Sequence, residues 1–283
     1  MIYLNDFHDL QDQTTEDICT AFNEAFSDYL VPLQLTPSIL EQKMKGENLQ
    51  RAYSIGAFDG DTIGAFILHG TDNSEHPKEL YNGGTGVRPA HRGQHLVQKM
   101  YDKFIPVYRR QGIEKITLEV ISTNLPAIKA YTNSGFRKSR IFHCYKGTIT
   151  AGEIPAEIII KENDAPDWQQ LAAFMDMKPG WSNTPESILR EQPYTGIWEA
   201  FIDGQPAGYI AVHRDTRRIR NIAVHPDFRR RGVGNALLRH AADTLGDTMS
   251  IINIDENSPE IGKFLEQAGL KFYLSQYEMT IAL

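Results

Sequence analysis

Hydrophobic and polar positions form a pattern that occurs twice along the chain. Residues 56–70, GAFDGDTIGAFILHG, place apolar runs on both sides of an Asp-Gly pair, and residues 199–213, EAFIDGQPAGYIAVH, do the same. An Asp-Gly pair between apolar runs is a strong signal for a β-hairpin. From Asp59 to Asp203 the offset is 144 residues. The pattern therefore predicts one hairpin in each half of the chain.

A second pair of segments follows in the same order. Residues 85–101, TGVRPAHRGQHLVQKMY, resemble residues 222–238, IAVHPDFRRRGVGNALL. Each reads as a short strand, a turn with proline, a stretch containing Arg and Gly, and a helix with apolar residues at helical spacing. From Val87 to Val224 the offset is 137 residues.

The third pair consists of residues 116–136 and 251–270. Both contain a β-branched strand, a loop with Asn, a helix and a glycine that ends the helix. From Gly135 to Gly269 the offset is 134 residues. Three matched features in one order, at a nearly constant offset, indicate a tandem duplication.

Each half reads as helix, helix, hairpin, strand, helix, strand, helix, strand, which predicts the α/β class with a mixed sheet. The first two helices of each half are expected at residues 15–29 and 37–45, and at 167–177 and 185–191. Residues 145–157 mix Gly, Pro and small polar residues and indicate a connection. We therefore predict a domain at 1–150 and a second at 151–283.

Composition narrows the class of protein. Of 283 residues 41% are hydrophobic, and no apolar run reaches the roughly 20 residues of a membrane helix. A net charge of −7 disfavours nucleic acid as a partner. Cys19 and Cys144 have no CxxC or His/Cys neighbours, so we expect neither disulfide nor metal. With no visible signal peptide, the expected location is the cytoplasm, and no membrane partner is expected.

The sharpest chemical signal is residues 229–235, RRRGVGN, between a strand at 220–224 and a helix at 236–245. Backbone N–H groups at the start of a helix attract anions, and glycines let a diphosphate approach the main chain. The segment lacks the GxxxxGK[ST] motif of a nucleotide P-loop and does not complete the GxGxxG motif of a dinucleotide-binding site, so neither of these sites is favoured. The alternative is a solvated helix start. Three nearby arginines either extend a phosphate-attracting surface or border a hairpin: Arg217, Arg218 and Arg220.

The run AVHPDFRRRGVGNALL resembles motif A, (Q/R)xxGx(G/A), of the GNAT family of acyl-CoA-dependent N-acyltransferases, with Arg229, Gly232 and Gly234 matching. The resemblance implies two GNAT-like domains in tandem, each a mixed, splayed β-sheet flanked by helices. It also implies that the turn binds the diphosphate of coenzyme A. The second-half residues implied to contact the coenzyme are Val224, Arg229, Arg230, Arg231, Gly232, Val233, Gly234, Asn235 and Asn257.

The first half matches motif A less well, because His95 and Val97 stand where Gly232 and Gly234 stand. Larger side chains narrow the approach to the backbone although the N–H groups remain. Coenzyme binding is therefore expected first in the second half. The corresponding first-half residues are Val87, Arg92, Gly93, Gln94, His95, Leu96, Val97 and Asn124.

Residues 118–136, LEVISTNLPAIKAYTNSGF, resemble motif B of the same family. The resemblance implies that Asn124 contacts the pantetheine arm and that Tyr131 faces the thioester sulfur. A phenol there can protonate the departing thiolate. The alternative for Tyr131 is an aromatic side chain on the buried face of a helix. In the second half Leu265 stands at this position, and Asn257 is shifted by one residue.

The family's reaction also needs a base, for which a carboxylate with a raised pKa is suited. Glu119 is the catalytic candidate in the first half, and Asp255 or Glu256 in the second. The alternative is that these are solvated residues at strand ends.

The resemblance predicts an acetyltransferase that moves an acetyl group from acetyl-CoA to a primary amine of a small molecule or peptide, as a monomer or homodimer and without metal. Either each half keeps a separate, partly degraded site, or one half has become a scaffold for the other. Two rival functions are a non-catalytic coenzyme A sensor or interaction module, and a nucleotide-dependent kinase or dehydrogenase.

Overall fold

A computed structural model describes residues 3–28, 34–73 and 75–283. The strands are β1 (Asp6–Asp9), β2 (Ile55–Asp59), β3 (Thr62–Thr71), β4 (Glu79–Val87), β5 (Lys115–Ile121), β6 (Arg137–Thr148), β7 (Ile159–Glu162), β8 (Thr195–Ile202), β9 (Gln205–His213), β10 (Arg218–Val224), β11 (Thr248–Asp255) and β12 (Leu270–Ala282). The α-helices are α1 (Thr15–Ala25), α2 (Pro37–Gly46), α3 (Leu96–Arg110), α4 (Leu125–Asn133), α5 (Trp168–Ala172), α6 (Pro185–Arg190), α7 (Val233–Leu245) and α8 (Pro259–Gln267).

The chain forms two compact units. The first contains Met1–Ser139 together with Tyr277–Leu283, and the second contains Arg140–Gln276. The last seven residues thus complete the first unit, where the Leu283 amide donates to the Glu114 carbonyl at 2.8 Å. The domains 1–150 and 151–283 stay a prediction about the repeats, since the spatial units divide the chain differently.

In the first unit the strand order is β1-β2-β3-β4-β5, followed by the end of β12. Strands β1 to β4 pair antiparallel, and β4 pairs parallel with β5. Side chains of β3 alternate between two cores. Ala65 and Ile67 belong to the core with α3 and α4, whereas Phe66 and Leu68 belong to the core with α1 and α2. Both faces of the sheet are therefore covered.

The second unit repeats this arrangement in the order β6-β11-β10-β9-β8-β7, with β10 and β11 parallel. On β9, Ile210 and Val212 join the core with α7 and α8. Tyr209, which packs with Leu171 and Phe174, points to the opposite face. The predicted fold class, with mixed sheets flanked by helices, is confirmed in both units.

The predicted hairpins are present, with Asp59-Gly60 joining β2 to β3 and Asp203-Gly204 joining β8 to β9. The helix expected at 167–177 is shorter, because the amides of Phe174 and Met175 bond to carbonyls three residues back and tighten the chain into a turn. The first helix ends at Ala25, and its expected end at Tyr29 lies outside the described residues.

Within the described ranges, every helix falls short of the length and apolar character of a membrane span. The same residues contain no cluster of three or more His, Cys, Asp or Glu side chains that could hold a metal ion.

Gly269 ends α8 with φ +99°, and a Cβ there would lie 2.2 Å from the Thr148 carbonyl oxygen. Gly204 has φ +77° and no atom within 4 Å of such a Cβ. We expect Gly204→Ala to cost about 1–2 kcal/mol, for the left-handed backbone alone. Gly269→Ala must also displace the backbone and should cost more than ~3 kcal/mol. Thermal unfolding of both variants checks this, and equal melting temperatures would contradict the packing described.

Candidate active site

The parallel strands of the first unit separate partway along their length. Pairing between β4 and β5 ends at Asn82 and Leu118, although β4 continues to Val87 and β5 to Ile121. On the other side of β4, Leu68 lies opposite Gly84 and His69 opposite Asn82, so Gly83 is an extra residue. Such a β-bulge bends a strand and increases its twist. The bend therefore coincides with the point where β4 leaves β5.

The Asn82 side chain holds the bulge in place. Its Nδ2 donates to the Tyr101 hydroxyl at 2.9 Å and to Thr85 Oγ1 at 2.8 Å. Its Oδ1 accepts from the Gly84 amide at 3.1 Å. One buried amide thus ties the strand on both sides of Gly83 to helix α3.

The hydrogen bonds continue into the core through His69. Its Nδ1 lies 2.9 Å from the Tyr53 carbonyl oxygen and must donate there, because a carbonyl only accepts. The neutral ring then accepts at Nε2 from the Tyr101 hydroxyl at 3.3 Å. Burial lowers the pKa of His69 to about 4. The neutral tautomer therefore fixes the direction of hydrogen-bond donation, from Asn82 to Tyr101 and from Tyr101 to His69.

The turn between β4 and α3 presents backbone N–H groups. Gly93 and His95 both have left-handed backbones, with φ +79° and +57°, and α3 begins directly after His95. The first N–H groups of a helix have no partner within the helix. His95, which is exposed, thus has the left-handed backbone that is expected of a glycine and that Gly232 would supply at the matching position of the second half.

Arg92 anchors this turn to the end of α1. Its guanidinium makes two hydrogen bonds to the Asp28 carboxylate, at 2.6 and 2.7 Å, and donates to the carbonyls of Ala25 and Val87. Hydrogen bonding from Arg92 lowers the pKa of the Asp28 carboxyl, and the same bond raises the pKa of Arg92.

These elements surround a cavity of about 730 Å³ in the first unit. Its walls include the end of α1, the outer part of β4, the turn, and the starts of α3 and α4. All first-half coenzyme residues predicted from the sequence line it, together with Tyr131: Val87, Arg92, Gly93, Gln94, His95, Leu96, Val97 and Asn124. His91 and Lys129 add basic character to the wall.

The predicted residues differ in how their side chains are used. Tyr131 is 8% exposed and packs edge-on against Phe136 with ring centroids 5.8 Å apart. Asn124 caps α4 by accepting from the Ala127 amide at 3.2 Å. Gln94 is buried and accepts from the Leu4 amide at 3.0 Å. The side chains of Asn124 and Gln94 thus accept hydrogen bonds from the protein's own backbone. The groups that face the cavity are therefore mainly backbone groups and Tyr131.

Glu119, the predicted base, is a half-buried residue of β5 and does not belong to the described lining of this cavity. Its catalytic role stays a prediction. Asn82, Gly83 and Asp28 were not predicted as site residues from the sequence. The adjacent glycines at 83 and 84 inside a strand were an available signal, since glycine there often marks a bulge.

The second unit has the same frame. Strands β10 and β11 pair only at Arg218 with Ser250 and at Ile219 with Ile251, and Arg220 is the extra residue of a bulge. The following turn is left-handed at Arg230 and Gly232, with φ +64° and +84°. Thus the two turns share backbone geometry, with glycine at different positions.

The two glycines of the second turn, however, have side chains close to them. A Cβ on Gly234 would lie 2.9 Å from the Phe264 ring, and one on Gly232 would lie 3.4 Å from Pro155. Two side chains therefore rest against the glycines that made this half the better candidate by sequence. By the repeat offset of 134, the first-unit counterpart of Phe264 is Ala130, which lines the cavity.

Other second-half candidates have structural partners. Arg229 forms an ion pair with Asp176 at 2.7 Å and donates to the Val224 carbonyl, as Arg92 does to Asp28 and Val87. The Asn257 amide and side chain both donate to Asp255 Oδ1 at 3.0 Å.

The remaining residues of this set are divided between surface and core. Arg230, Arg231 and Asn235 are exposed, whereas Val233 and Leu265 are buried in the core. Glu256, on the loop after β11, is exposed.

The expectation that Arg220 lies on a phosphate-attracting surface or a hairpin edge is wrong. It is 3% exposed, forms an ion pair with Glu191 and donates through Nε to the Ser182 carbonyl at 3.0 Å. As the bulge residue of β10, its side chain is directed into the unit.

Residues 12–136 and 162–269 both match the model of the acetyltransferase (GNAT) family. The chain belongs to this family and carries its domain twice, which places it among the acyltransferases. A search of curated protein sequences found no match.

Solved structures resemble the whole chain. A putative acetyltransferase from Pyrococcus horikoshii is 13% identical with a TM-score of 0.70, covering 100% of this chain and 92% of its own. A tandem GNAT protein from the clavulanic acid biosynthesis pathway is also 13% identical with a TM-score of 0.70, covering 98% of both chains. A GCN5-related N-acetyltransferase from Sphaerobacter thermophilus is 12% identical with a TM-score of 0.71, covering 98% and 95%. At this identity the likeness establishes the fold.

The lowered pKa of His69 predicts acid sensitivity. The unfolded chain binds a proton near pH 6.5 that the folded chain binds only near pH 4, so stability is lost as the pH falls between these values. Between pH 7 and pH 5 this group should remove about 2 kcal/mol. Thermal unfolding at both values should show a smaller pH effect in His69→Gln than in the wild type. An equal effect in both proteins would refute this assignment.

Proposed function

We propose that this chain transfers an acetyl group from acetyl-CoA to a primary amine, and that the first unit carries the reaction. The observation that supports this most is the single cavity on which the left-handed turn, the separated strands and Tyr131 converge. Its volume of about 730 Å³ lies within the usual range for sites of small ligands and cofactors.

The turn at residues 92–97 would hold the diphosphate of the coenzyme. The N-terminus of α3 carries a partial positive charge, and its N–H groups are directed along the helix axis toward the turn. Lys129 supplies a full positive charge on the cavity wall. Arg92 acts mainly through its bonds to Asp28, which keep the turn in position.

Tyr131 is the proposed acid. The amine nitrogen attacks the thioester carbonyl carbon, the C–S bond breaks with its electron pair on sulfur, and the sulfur takes the phenolic proton. The phenolate then regains a proton from the new C–N nitrogen, which leaves a neutral amide. A hydroxyl is well suited to this exchange because tyrosine and thiol pKa values, about 10 and 8.5, are close.

We assign the coenzyme to the first unit and not the second, reversing the order suggested by motif A. The Phe264 ring against Gly234 is the supporting observation, because a diphosphate needs the space that this ring takes. In the first unit Ala130 leaves the corresponding space open. The second unit would then act as a scaffold.

The direct test is thiol release from acetyl-CoA in the presence of a panel of primary amines. Amine-dependent release supports the proposal. Tight binding of coenzyme A without turnover on any amine supports a sensor, and adenine-nucleotide binding that acetyl-CoA cannot displace supports the nucleotide-dependent alternative.

Ala130→Phe introduces into the first unit the ring that covers the second. We expect its affinity for coenzyme A to fall at least ~10-fold in calorimetric titration. Phe264→Ala is the matched control and should leave the affinity of the first site unchanged. The proposed assignment is wrong if Ala130→Phe binds normally and changes at the second turn abolish binding.

Tyr131→Phe keeps the packing against Phe136 and removes the hydroxyl. Turnover should fall about 100-fold or more, as expected for loss of a general acid, while affinity for coenzyme A stays the same. Steady-state kinetics and calorimetry together check this. Undiminished turnover would leave Tyr131 as a packing residue only.

A further inference from the structure

Four polar side chains of the first unit form one hydrogen-bonded chain that ends at the cavity. His69 on β3 lies opposite Asn82 on β4, and the Tyr101 hydroxyl bonds to both. The fourth member is Thr85, whose hydroxyl bonds to the Asn82 side chain. The first three residues are at most 4% exposed, whereas Thr85 is half-buried and lines the cavity. We call these four residues the polar chain.

The matching positions of the second unit are all apolar. Ile219 lies opposite Val212 on neighbouring strands, as Asn82 lies opposite His69. At the offset of 137 residues that relates the two motif A segments, the positions of Thr85 and Tyr101 are apolar as well. The four counterparts belong to one apolar core or pack against it: Val212, Ile219, Ile222 and Leu238.

The second unit shows that the fold does not require the polar chain. The bulge in β10 and the early end of its pairing with β11 form with apolar residues at these four places. Replacing both partners of a buried hydrogen bond by apolar groups is often nearly neutral for stability, and a buried polar network is costly where it is incomplete. A chain that the fold can do without therefore points to a role at the cavity, which it reaches through Thr85.

The direction of donation along the polar chain makes Thr85 a donor. The neutral His69 ring accepts from the Tyr101 hydroxyl, which accepts from Asn82 Nδ2. The second Nδ2 proton goes to Thr85 Oγ1 at 2.8 Å, and the Thr85 proton is directed to Asn82 Oδ1 at 3.1 Å. Rotation about the Cβ–Oγ1 bond turns this proton into the cavity, while Oδ1 still accepts from the Gly84 amide. The exchange leaves no buried group of the chain without a partner.

The polar chain and the proposed acid approach the cavity from the same core. Tyr101 and Tyr131 pack against one ring, that of Phe136, with centroid distances of 5.1 and 5.8 Å. Thr85 follows Asn82, where the pairing of β4 with β5 has ended, so it borders the gap between the strands. Thr85 and Tyr131 both line the cavity. One bound thioester group can therefore lie between the two hydroxyls.

We propose that the Thr85 hydroxyl donates a hydrogen bond to the carbonyl oxygen of the thioester, and that the rest of the polar chain positions it as a donor. This inference rests on the proposed function. As the amine nitrogen attacks, an electron pair of the carbonyl bond moves onto this oxygen, and it returns when the C–S bond breaks. Thr85 keeps its proton throughout and stabilises the charge that develops in between.

Thr85→Val replaces the hydroxyl by a methyl group of similar size. We expect kcat to fall about 100-fold while the KM for acetyl-CoA changes less than about 3-fold, because the hydrogen bond strengthens as charge develops on the oxygen. Thr85→Ser keeps a hydroxyl and should recover most of the turnover. Thr132→Val is the matched control and should behave as wild type, since Thr132 is exposed on α4 and outside the described lining of the cavity.

The infrared band of the thioester carbonyl gives a readout that does not depend on turnover. A hydrogen bond to the carbonyl oxygen lowers its stretching frequency. Acetyl-CoA labelled isotopically at the carbonyl carbon should therefore absorb at a lower frequency when bound to the wild type than when bound to Thr85→Val. Tyr101→Phe keeps the packing against Phe136 and interrupts the polar chain, so it should move the band in the same direction.

Thr85→Val with wild-type kcat and an unshifted band overturns the inference and leaves the proposed function intact. A lower melting temperature as the only change also overturns it, since the polar chain would then serve stability alone. A band that Tyr101→Phe leaves unshifted refutes the positioning role of the polar chain.

If the wild type releases no thiol with any amine, the proposed function fails separately. The infrared band of bound acetyl-CoA then decides the matter for Thr85, and equal frequencies in the wild type and Thr85→Val refute the hydrogen bond. A wild type that does not bind acetyl-CoA refutes both proposals.

Discussion

The parting of β4 from β5 at Asn82 is the constraint on which the candidate site depends. Two parallel strands normally continue their ladder of hydrogen bonds, because unpaired backbone groups in a sheet are costly. Here the extra residue Gly83 bends β4 away, and the Asn82 amide satisfies the Gly84 N–H that the bend displaces. The resulting gap allows the outer part of β4, the turn before α3 and the start of α4 to border one cavity. Continuous pairing along both strands would have left no opening there.

The duplication makes the effect of single residues visible, since the same frame is built twice. Both units have a bulge, a left-handed turn and an arginine that ties the turn to an acidic residue: Arg92 with Asp28, and Arg229 with Asp176. They differ in what fills the remaining space. Arg220 stands at the second bulge, where Gly83 lies against Glu47 in the first, and the Phe264 ring lies against the second turn, whereas its counterpart Ala130 lines the cavity of the first unit. Loss of space by side-chain filling requires no change of fold, so one copy can become a scaffold while the other keeps a cavity.

Most of the fold was predicted from the residues at turns and from the spacing of apolar residues. Asp59-Gly60 and Asp203-Gly204 favour tight hairpins for local steric reasons, and both hairpins formed. The helix expected at 167–177 is shorter in the structure because only Leu171 and Phe174 of this segment are fully buried, and a segment with few buried residues does not sustain a long helix. That the last seven residues belong to the first unit was not predicted, since strand pairing between distant segments leaves no local sequence signal.

By itself the sequence determined the duplication and the mixed sheets, because these follow from local patterns of residues. For the same reason it determined which segments form the turns before α3 and α7, and that α4 carries Tyr131. It also identified the first-half residues that the structure brings around one cavity. Only the tertiary structure showed that the first turn borders a cavity of about 730 Å³. His95 adopts the left-handed backbone that glycine was expected to provide, and Phe264 packs against Gly234 in the turn with the better-matching glycines. The physical reason is that access to a backbone depends on the volume of side chains packed from other elements, and those neighbours are distant in the sequence.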